Sequence, residues 1–339
     1  MGNAYTAIAD DEYTLFYNPA ILARHKGFSF YPINPQFRAS NVLDDPDRFM
    51  DIGSDPNDFA DAAFDYPIHL GTDFTPTLKM GYFGFSGLYQ NNTNMNLQNQ
   101  VNPSLDIDHR SDTGFIAGFA YPLFGNFSSD GGGNHLALGA SLKYLKRESV
   151  YGSYDLTGLT LLDALQAGEI DQVLDQLGKV NGQGWGFDFG LDYANSSGGS
   201  TFTAGLVFLD VVTTLQTEDN INDFEVQDQP MQVHFGTAWK GSMGAGFDVT
   251  VSADIRNLSR QMELARRIHL GTEVGVSPAF SFYAGVNAVD NYSYGLKFNA
   301  GLINLMAGFY GQEIGQKLGQ QESNRAVIYL SLFDFTFNP

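Results

Sequence analysis

The sequence lacks cysteine altogether. This absence excludes a disulfide-stabilised scaffold and metal sites built from thiolates. The sequence also lacks any apolar run approaching the roughly 18 residues that a membrane-spanning helix requires, which argues against a helical membrane protein. A transmembrane β-barrel stays open as a fold class, because its alternating pattern averages out in any hydropathy window.

Positive charge is scarce as well. The chain of 339 residues has 18 Lys and Arg against 38 Asp and Glu, a net charge of −20. Phosphate backbones would be repelled, so we expect no nucleic-acid partner. Residues 41–66 are predicted to form an acidic loop with eight aspartates: Asp44, Asp45, Asp47, Asp51, Asp55, Asp58, Asp61 and Asp65. This loop is either a solvated segment or a site for divalent cations or lipopolysaccharide counterions, since hard cations take oxygen ligands.

No secretory signal is visible at the start. Residues 1–5 lack the basic start and apolar core of a signal peptide. If the protein crosses the inner membrane of a bacterium, we expect that the leader has been removed and that the numbering begins inside a longer precursor.

Alternation of apolar and polar residues is the strongest pattern that is present. In the stretch 185–193, Trp185, Phe187 and Phe189 alternate with Gly186 and Asp188. Successive side chains of a strand point to opposite faces, so one face is aromatic and the other carries carboxylates or no side chain. The pattern recurs in segments of about ten residues, which is the length that a tilted strand needs to cross a bilayer.

The repeated pattern predicts an all-β fold: a transmembrane antiparallel β-barrel of about fourteen strands. The predicted strands are 28–34, 68–75, 77–90, 111–122, 134–148, 183–194, 200–213, 230–240, 243–257, 265–276, 279–288, 291–301, 302–313 and 324–337. The stretches 91–110 and 214–229 are predicted to be long loops. Aromatic residues near the strand ends are expected to form interfacial girdles: Tyr121, Tyr144, Trp185, Tyr193, Trp239, Tyr292 and Tyr310.

Two segments do not alternate. Residues 1–27 are rich in small residues, and Asn18 and Pro19 interrupt regular secondary structure there. These features predict a compact plug that precedes a barrel over 28–339. Residues 155–180 carry leucines and other apolar residues at steps of three and four, which indicates an amphipathic helical insertion. This insertion either caps the barrel mouth or serves as a lid or docking element.

The motifs of catalysis and metal binding are not found. None of the six histidines lies in a metal-ligand spacing, and there is no G-x-S-x-G. The glycine-rich run 182–186 leads into a strand, so it lacks the helix N-terminus that phosphate recognition uses. We therefore expect no enzyme activity, no metal and no cofactor, although a Ser and a His from different strands could still meet inside a barrel.

The N-terminal run resembles the start of the FadL-like outer-membrane family, which includes the FadL long-chain fatty-acid transporter and PorV-like proteins. The hallmark of this family is a G-x-A-x-x-A-x-A-D-D stretch followed by Y-Y-N-P-A. The residues that match it are Gly2, Ala4, Ala7, Ala9, Asp10, Asp11, Tyr17, Asn18, Pro19 and Ala20. Phe16 stands where a tyrosine is frequent. The stretches 267–273 and 310–315 look more like the PorV side of the family.

The resemblance implies a fourteen-stranded barrel in the bacterial outer membrane, with residues 1–27 as a hatch in its lumen. In the family, hydrophobic ligands such as fatty acids or lipids enter from outside, pass beside the hatch and leave sideways through a gap in the wall. PorV-like relatives act instead as partners of secreted or envelope proteins. Two functions follow as alternatives: passage of hydrophobic small molecules across the outer membrane, or a scaffold that binds envelope proteins.

A barrel of fourteen strands is too wide for its own side chains to fill, so it needs a plug. Buried acids of such a plug need partners. We therefore expect Asp10, Asp11 or Glu12 to pair with a cation of the wall, with these candidates: Arg256, Arg267 and Lys297. The alternative is that the three acids cap a helical turn or meet water.

Overall fold

The computed structural model describes residues 1–41, 45, 47–48, 64, 66–98, 104–125, 133–155, 177–218, 225–244, 246–288, 290–315 and 317–337. Near the N-terminus, a short helix α1 (Thr14–Tyr17) leads into a 3₁₀ turn (Pro19–Arg24), and a second 3₁₀ turn covers Leu264–Arg266. The strand segments are β1 (Phe28–Tyr31), β2 (Pro35–Ser40), β3 (Ile68–Phe74), β4 (Thr77–Met80), β5 (Phe83–Gln98), β6 (Ser104–Gly125), β7 (Gly133–Asp155), β8 (Val180–Ser197), β9 (Ser200–Leu209), β10 (Thr214–Thr217), β11 (Gln232–Gly244), β12 (Phe247–Ile255), β13 (Ile268–Ser277), β14 (Phe280–Asn287), β15 (Asn291–Asn299), β16 (Ile303–Glu313), β17 (Glu322–Leu332) and β18 (Phe335–Phe337).

These segments form one closed antiparallel sheet. Four strands consist of two segments each, namely β1 with β2, β3 with β4, β9 with β10, and β17 with β18, so that the barrel has 14 strands. The last strand pairs with the first: Thr336 lies opposite Ser29 and Ile328 opposite Phe37. The predicted fold class and strand number are confirmed. Among the described strands, closure leaves no unpaired sheet edge, which is what a bilayer requires of a spanning sheet.

The two faces of the strands differ as the alternation predicts. On β8, Trp185 and Phe189 are 47% and 48% exposed on the outside, whereas Asp188 and Asp192 are 1% and 0% exposed on the inside. The outer surface therefore presents apolar side chains and the inner surface presents carboxylates, glycines and hydroxyls. Within the described residues, none of the helices combines the length and the apolar character that crossing a bilayer takes.

Several predicted strand boundaries are wrong. The predicted boundary at Pro76 is an interruption between β3 and β4 within one barrel strand, and the hairpin turn comes at Gly81, whose φ of 56° favours glycine. The predicted loop 91–110 is largely strand, because β5 and β6 extend into it as a long hairpin. Cross-strand hydrogen bonds hold its polar side chains, such as the bond from Gln98 Nε2 to Asp106 at 3.0 Å, and they offset the low strand propensity of Asn and Gln.

The connections divide the barrel into two rims. The short-turn rim carries the connections 81–82, 126–132, 198–199, 245–246, 278–279 and 300–302, and the long-loop rim carries those at 41–67, 99–103, 156–179, 218–231, 256–267, 288–290 and 314–321. Most of the predicted acidic loop 41–66 and of the helical insertion 155–180 lies outside the described residues. Of the eight aspartates, Asp45 is described with an exposed ion pair to Arg48 at 3.0 Å.

Candidate functional site: the barrel lumen

The N-terminal segment (residues 1–26) lies inside the barrel and packs against glycines of the wall. Four pairs of glycines that stand directly opposite each other on neighbouring strands lie against this segment: Gly84 with Gly118, Gly139 with Gly190, Gly205 with Gly236, and Gly271 with Gly285. A Cβ atom added at Gly139 would lie 2.2 Å from the backbone nitrogen of Ala20, and one at Gly285 would lie 2.5 Å from the nitrogen of Gly2. The wall carries glycine here because the N-terminal segment approaches it this closely.

Polar groups of the wall fix the same segment. The Asp254 carboxylate on β12 accepts hydrogen bonds from the backbone nitrogens of Tyr5 and Thr6 at 3.0 and 2.9 Å. On β8, Asp192 accepts from Nε of Arg24 at 2.8 Å. His135 on β7 contacts the same carboxylate at 2.9 Å. Buried charges of this kind are stable only when they are paired.

The residues of the predicted hatch motif build the turns of this segment. Gly2 donates from its backbone nitrogen to Ser293 at 2.8 Å, and Ala4 is completely buried. The Asn18 side chain accepts from the nitrogen of Ala20 at 3.1 Å and donates to the carbonyl of Leu191 at 3.0 Å. Pro19 begins the 3₁₀ turn. The motif therefore has a structural explanation in local capping and contact with the wall.

The predicted ion pairs between hatch acids and wall cations are not formed among the described residues. Arg256 donates to the carbonyl and side-chain oxygens of Asn3 at 3.1 and 3.0 Å. Arg267 donates to the loop carbonyls of Arg260 and Met262 at 2.7 and 2.8 Å. Lys297 lines the larger of the two luminal cavities that are described below. The cation that faces residues 10 and 11 is instead Lys79 of β4, which donates to their carbonyl oxygens.

The three acids have separate surroundings. Asp10 is exposed. Asp11 accepts from the hydroxyl of Tyr5 at 2.6 Å and from the nitrogen of Tyr13 at 3.0 Å, within the turn that precedes α1. Glu12 is buried and accepts from the hydroxyl of Tyr329 on β17. Of the two parts of the alternative, contact with water holds for Asp10, whereas the N-cap residue of α1 is Tyr13 and not one of the three acids.

Burial, followed by repulsion from Asp11, raises the pKa of Glu12 from 4.5 to about 8. A carboxyl group with a raised pKa in the folded state favours that state most below its unfolded pKa, and this contribution is lost as the pH rises through the folded pKa. We therefore expect the N-terminal segment to be seated most firmly below about pH 4.5 and to loosen progressively up to about pH 8, by ~1.4 kcal/mol for each unit of pKa shift.

The measurement is protease cleavage of the N-terminal segment in the purified barrel between pH 5 and 9, with a protease active over that range. Wild type should be cleaved faster at high pH, and Glu12→Gln should show a flat profile. Asp10→Asn is the matched control, because Asp10 is exposed and should leave the profile unchanged. A wild-type profile without pH dependence would contradict this role of Glu12.

Ion pairs fill one side of the lumen. Arg147 on β7 makes a two-pronged contact with Asp112 on β6 at 2.6 and 2.7 Å. Lys143 contacts Asp188 at 2.8 Å and also reaches Asp210. The segment 225–230 crosses this network and contacts Arg147 through the carbonyl of Gln227 at 2.9 Å. Polar side chains thereby occupy this side of the lumen.

The other side of the lumen is open. A cavity of about 1190 Å³, here called the main cavity, lies between the N-terminal segment and the wall formed mainly by β13–β18, β1–β3 and β5. It extends from Arg266 and Glu313 near the long-loop rim to Asn304 and Asp334 on the side of the short-turn rim. Many tyrosines line it, and they include Tyr13, Tyr17, Tyr283, Tyr310 and Tyr329. The assignment of Tyr310 to an outer girdle is therefore wrong, since its side chain shares the inner face of β16 with Gln312.

Next to the main cavity, three neighbouring strands are interrupted. The breaks are Pro32–Asn34, Thr75–Pro76 and Phe333–Asp334, between the segments of the first, second and last strands. Proline cannot donate to a sheet ladder. The Asn34 side chain replaces the missing ladder bonds, because it accepts from the nitrogen of Thr75 at 3.0 Å and donates to its carbonyl at 2.8 Å.

A smaller cavity of about 450 Å³, here called the short-turn chamber, lies under the N-terminal segment towards the short-turn rim. Lys26 and Lys240 are exposed at its edge, and Thr201 and Thr203 line its wall. Within the described part of the chain, no group of three or more acids and histidines has the arrangement of a metal site.

These contacts are difficult to predict from the sequence. The glycines and acids on inward positions are recognisable from alternation, but which of them touch residues 1–26 depends on the strand register. Arg24, Lys79 and Asp192 are the residues that sequence reasoning missed as partners of the N-terminal segment. The signal for Asp192 is its place on the polar face of β8.

No protein-family profile matches the sequence, and no curated protein matches it. Several solved structures are similar to this chain. The toluene transporter TodX from P. putida is similar over 95% of this chain and 94% of that chain, with 12% identity and a TM-score of 0.50. The toluene transporter TbuX from Ralstonia pickettii matches over 96% and 94%, with 11% identity and a TM-score of 0.46. CdiB from Acinetobacter baumannii matches over 91% of this chain, with 9% identity and a TM-score of 0.39, but this chain spans 60% of its length.

At these identities the likeness shows the fold. The barrel implied by the resemblance to the FadL-like family is thereby confirmed as the architecture of this chain, by the similarity to TodX over nearly the whole of both proteins.

Proposed function

We propose that this barrel lies in the bacterial outer membrane and lets hydrophobic small molecules pass across it. The observation that carries the proposal is the main cavity, a space of about 1190 Å³ between the N-terminal segment and one side of the wall. Its volume exceeds the upper end of the range common for small-molecule sites, roughly 1000 Å³. TodX, whose fold this chain shares, is a toluene transporter.

The outer surface supports the membrane location. Aromatic side chains cluster on the outside of β5–β8, where the Tyr144 and Trp185 rings lie 4.9 Å apart and Phe115 lies 6.0 Å from Trp185. Such clusters at one level are typical of interfacial girdles. Outer-membrane barrels place short turns in the periplasm and long loops outside, so the short-turn rim faces the periplasm, and the end of the main cavity at Arg266 and Glu313 faces the cell exterior.

The N-terminal segment acts as the hatch of this channel. Residues 1–26 occupy the lumen between the polar side and the main cavity, and hold their place through the glycine pairs, Asp254 and Asp192. A hatch of this kind prevents free diffusion of water-soluble compounds through a wide barrel. Neither a cofactor nor an enzymatic step is needed for this function.

Filling the main cavity should block transport. Val327 lines this cavity, and its neighbour Ile328 faces outward with 54% exposure. We expect Val327→Trp to lower the uptake of hydrophobic compounds by about tenfold, because the indole would occupy space that the ligand needs. Ile328→Trp is the matched control and should transport like wild type, because it places the same side chain in lipid.

The assay measures uptake of radiolabelled toluene and oleate by cells that carry each variant in a strain without such a channel. Equal uptake in the strain with and without the wild-type barrel would reject the proposed function. Equal uptake by Val327→Trp and wild type would reject the main cavity as the ligand path.

A scaffold for envelope proteins is the second candidate. The observation that favours it is the β6–β7 hairpin, which extends past the start of β8 on the long-loop rim and exposes Tyr151 by 68% at its outer part. Leu177 packs on the Ile107 and Val150 side chains of this hairpin. Co-purification of a stoichiometric envelope protein, lost on Tyr151→Ser, would support this candidate.

A further inference from the structure

A fifth pair of directly opposed glycines lies on the wall of the main cavity. Gly295 on β15 stands opposite Gly308 on β16, and both residues line this cavity. The four pairs described above lie against the N-terminal segment, but at this pair the atoms nearest to an added Cβ belong to the neighbouring strand. A Cβ at Gly295 would lie 2.7 Å from the carbonyl oxygen of Ala307, and one at Gly308 would lie 2.8 Å from that of Tyr294. The sheet itself therefore excludes side chains here, and the wall of the cavity stays bare at these two positions.

Residues at the neighbouring inward positions of the sheet surround this bare patch, and they also line the main cavity. They are Tyr283 and Val327 at the two sides, Ser293 and Tyr310 towards the long-loop rim, and Lys297 and Met306 towards the short-turn rim. The strand register thus creates a recess with a flat floor, here called the niche. Its side residues are three strand spacings apart, or about 14 Å between their Cα atoms, which leaves room for a small planar molecule.

The ammonium group of Lys297 at the edge of the niche has no partner within the described part of the chain. Neither an ion pair nor a hydrogen bond is formed there, although Lys297 lines the main cavity. Two other inward lysines differ in this respect: Lys79 donates to the carbonyl oxygens of residues 10 and 11, and Lys143 contacts Asp188 at 2.8 Å. An unpaired cation in a partly enclosed lumen attracts an anionic group more strongly than it would in bulk water, because the effective dielectric constant is lower.

We propose that the niche binds planar aromatic carboxylates. The ring lies on the backbone of Gly295 and Gly308, because strand glycines allow a ligand to approach the sheet closely, and the carboxylate pairs with the Lys297 ammonium. Tyr283 and Met306 contact the edges of the ring, since aromatic rings and thioether sulfur both pack well against aromatic groups. A flexible chain with the same carboxylate binds less well, because it loses more rotational freedom on a flat floor. The proposal rests on the proposed function and deepens it, because it names a substrate class for the main cavity.

The charge is tested by equilibrium dialysis of the purified barrel with radiolabelled 2-naphthoate and with the neutral 2-methylnaphthalene. We expect Lys297→Met to weaken the binding of 2-naphthoate by about tenfold and to leave that of 2-methylnaphthalene unchanged, because only the first ligand pairs with the ammonium. Lys297→Arg should keep the affinity. Raising the salt concentration should weaken 2-naphthoate binding in wild type but not in Lys297→Met. Lys240→Met is the matched control and should bind like wild type, because Lys240 is an exposed lysine at the edge of the short-turn chamber.

The shape of the niche is tested with Met306→Trp and with undecanoate, a linear carboxylate with as many carbon atoms as 2-naphthoate. Met306→Trp should weaken both aromatic ligands, whereas Ile303→Trp, which is outward on the same strand and 45% exposed, should bind like wild type. Folding is checked by the heat-dependent mobility shift in gel electrophoresis. Unchanged 2-naphthoate binding in Lys297→Met, or equal binding of 2-naphthoate and undecanoate by wild type, would overturn the proposal. Failure of the proposed function is distinguishable, because the purified barrel would still bind 2-naphthoate while cells with and without it take up toluene and 2-naphthoate equally.

Discussion

Gly139→Ala is expected to unseat the N-terminal segment and open the barrel. The added Cβ would lie 2.2 Å from the nitrogen and 2.4 Å from the Cα of Ala20. Both are backbone atoms, so no side-chain rotation relieves the clash, and overpacking of this kind costs about 1–3 kcal/mol. Once the segment leaves its seat, a wall of 14 strands cannot fill the lumen, and we expect an increase in ion conductance on the order of tenfold.

The measurement is conductance of the purified protein in planar bilayers, together with sensitivity of cells to large antibiotics. Gly275→Ala is the matched control, because it is also an inward glycine but its nearest neighbours lie 3.7 Å from the added Cβ. It should conduct like wild type. Wild-type conductance in both variants would show that the segment does not seal the lumen. Gly190→Ala, on the partner glycine, would then repeat the test at 2.1 Å from Asn18.

The fold was predictable from the sequence because alternation is a local property. The contrast between Phe187 and Asp188 requires only the pleat of one strand, and its recurrence over the chain gives the number of strands. The predicted strand boundaries were wrong where local propensity and sheet pairing disagree. The Asn-rich end of β5 looks like a loop in isolation, but it is a strand because β3 and β6 hydrogen-bond to it from both sides.

The site was predictable in outline, but the predicted contacts within it were wrong, and the reason differs from the reason for the wrong strand boundaries. The motif of residues 2–20 predicted a segment inside a barrel. The inward glycines and acids could be recognised because every second residue of a strand faces the lumen. Their pairing depends on strand register and on the path of the segment, which one sequence does not contain. Arg256 therefore bonds Asn3, and the ion pair that anchors the segment has the opposite sense: Arg24 of the segment meets Asp192 of the wall.

That ion pair should be the strongest single polar anchor of the N-terminal segment. Asp192 is completely buried, and the Arg24 side chain is 10% exposed. Removing one partner of a buried pair leaves an uncompensated charge and costs about 3–5 kcal/mol. We therefore expect Asp192→Asn to increase the protease sensitivity of the N-terminal segment by at least the order of a hundredfold, since each ~1.4 kcal/mol changes an opening equilibrium tenfold.

The double variant Arg24→Met with Asp192→Leu tests whether the segment needs the two charges themselves or only an uncharged contact at this buried position. Replacing both charges by apolar groups of similar size is often neutral, so the double variant should recover most of the protection that Asp192→Asn loses. Asp248→Asn, an exposed acid on β12, is the control and should behave like wild type. If the double variant is as sensitive as the single one, the decisive loss is the contact of Asp192 with His135, and Arg24 contributes little to seating the segment.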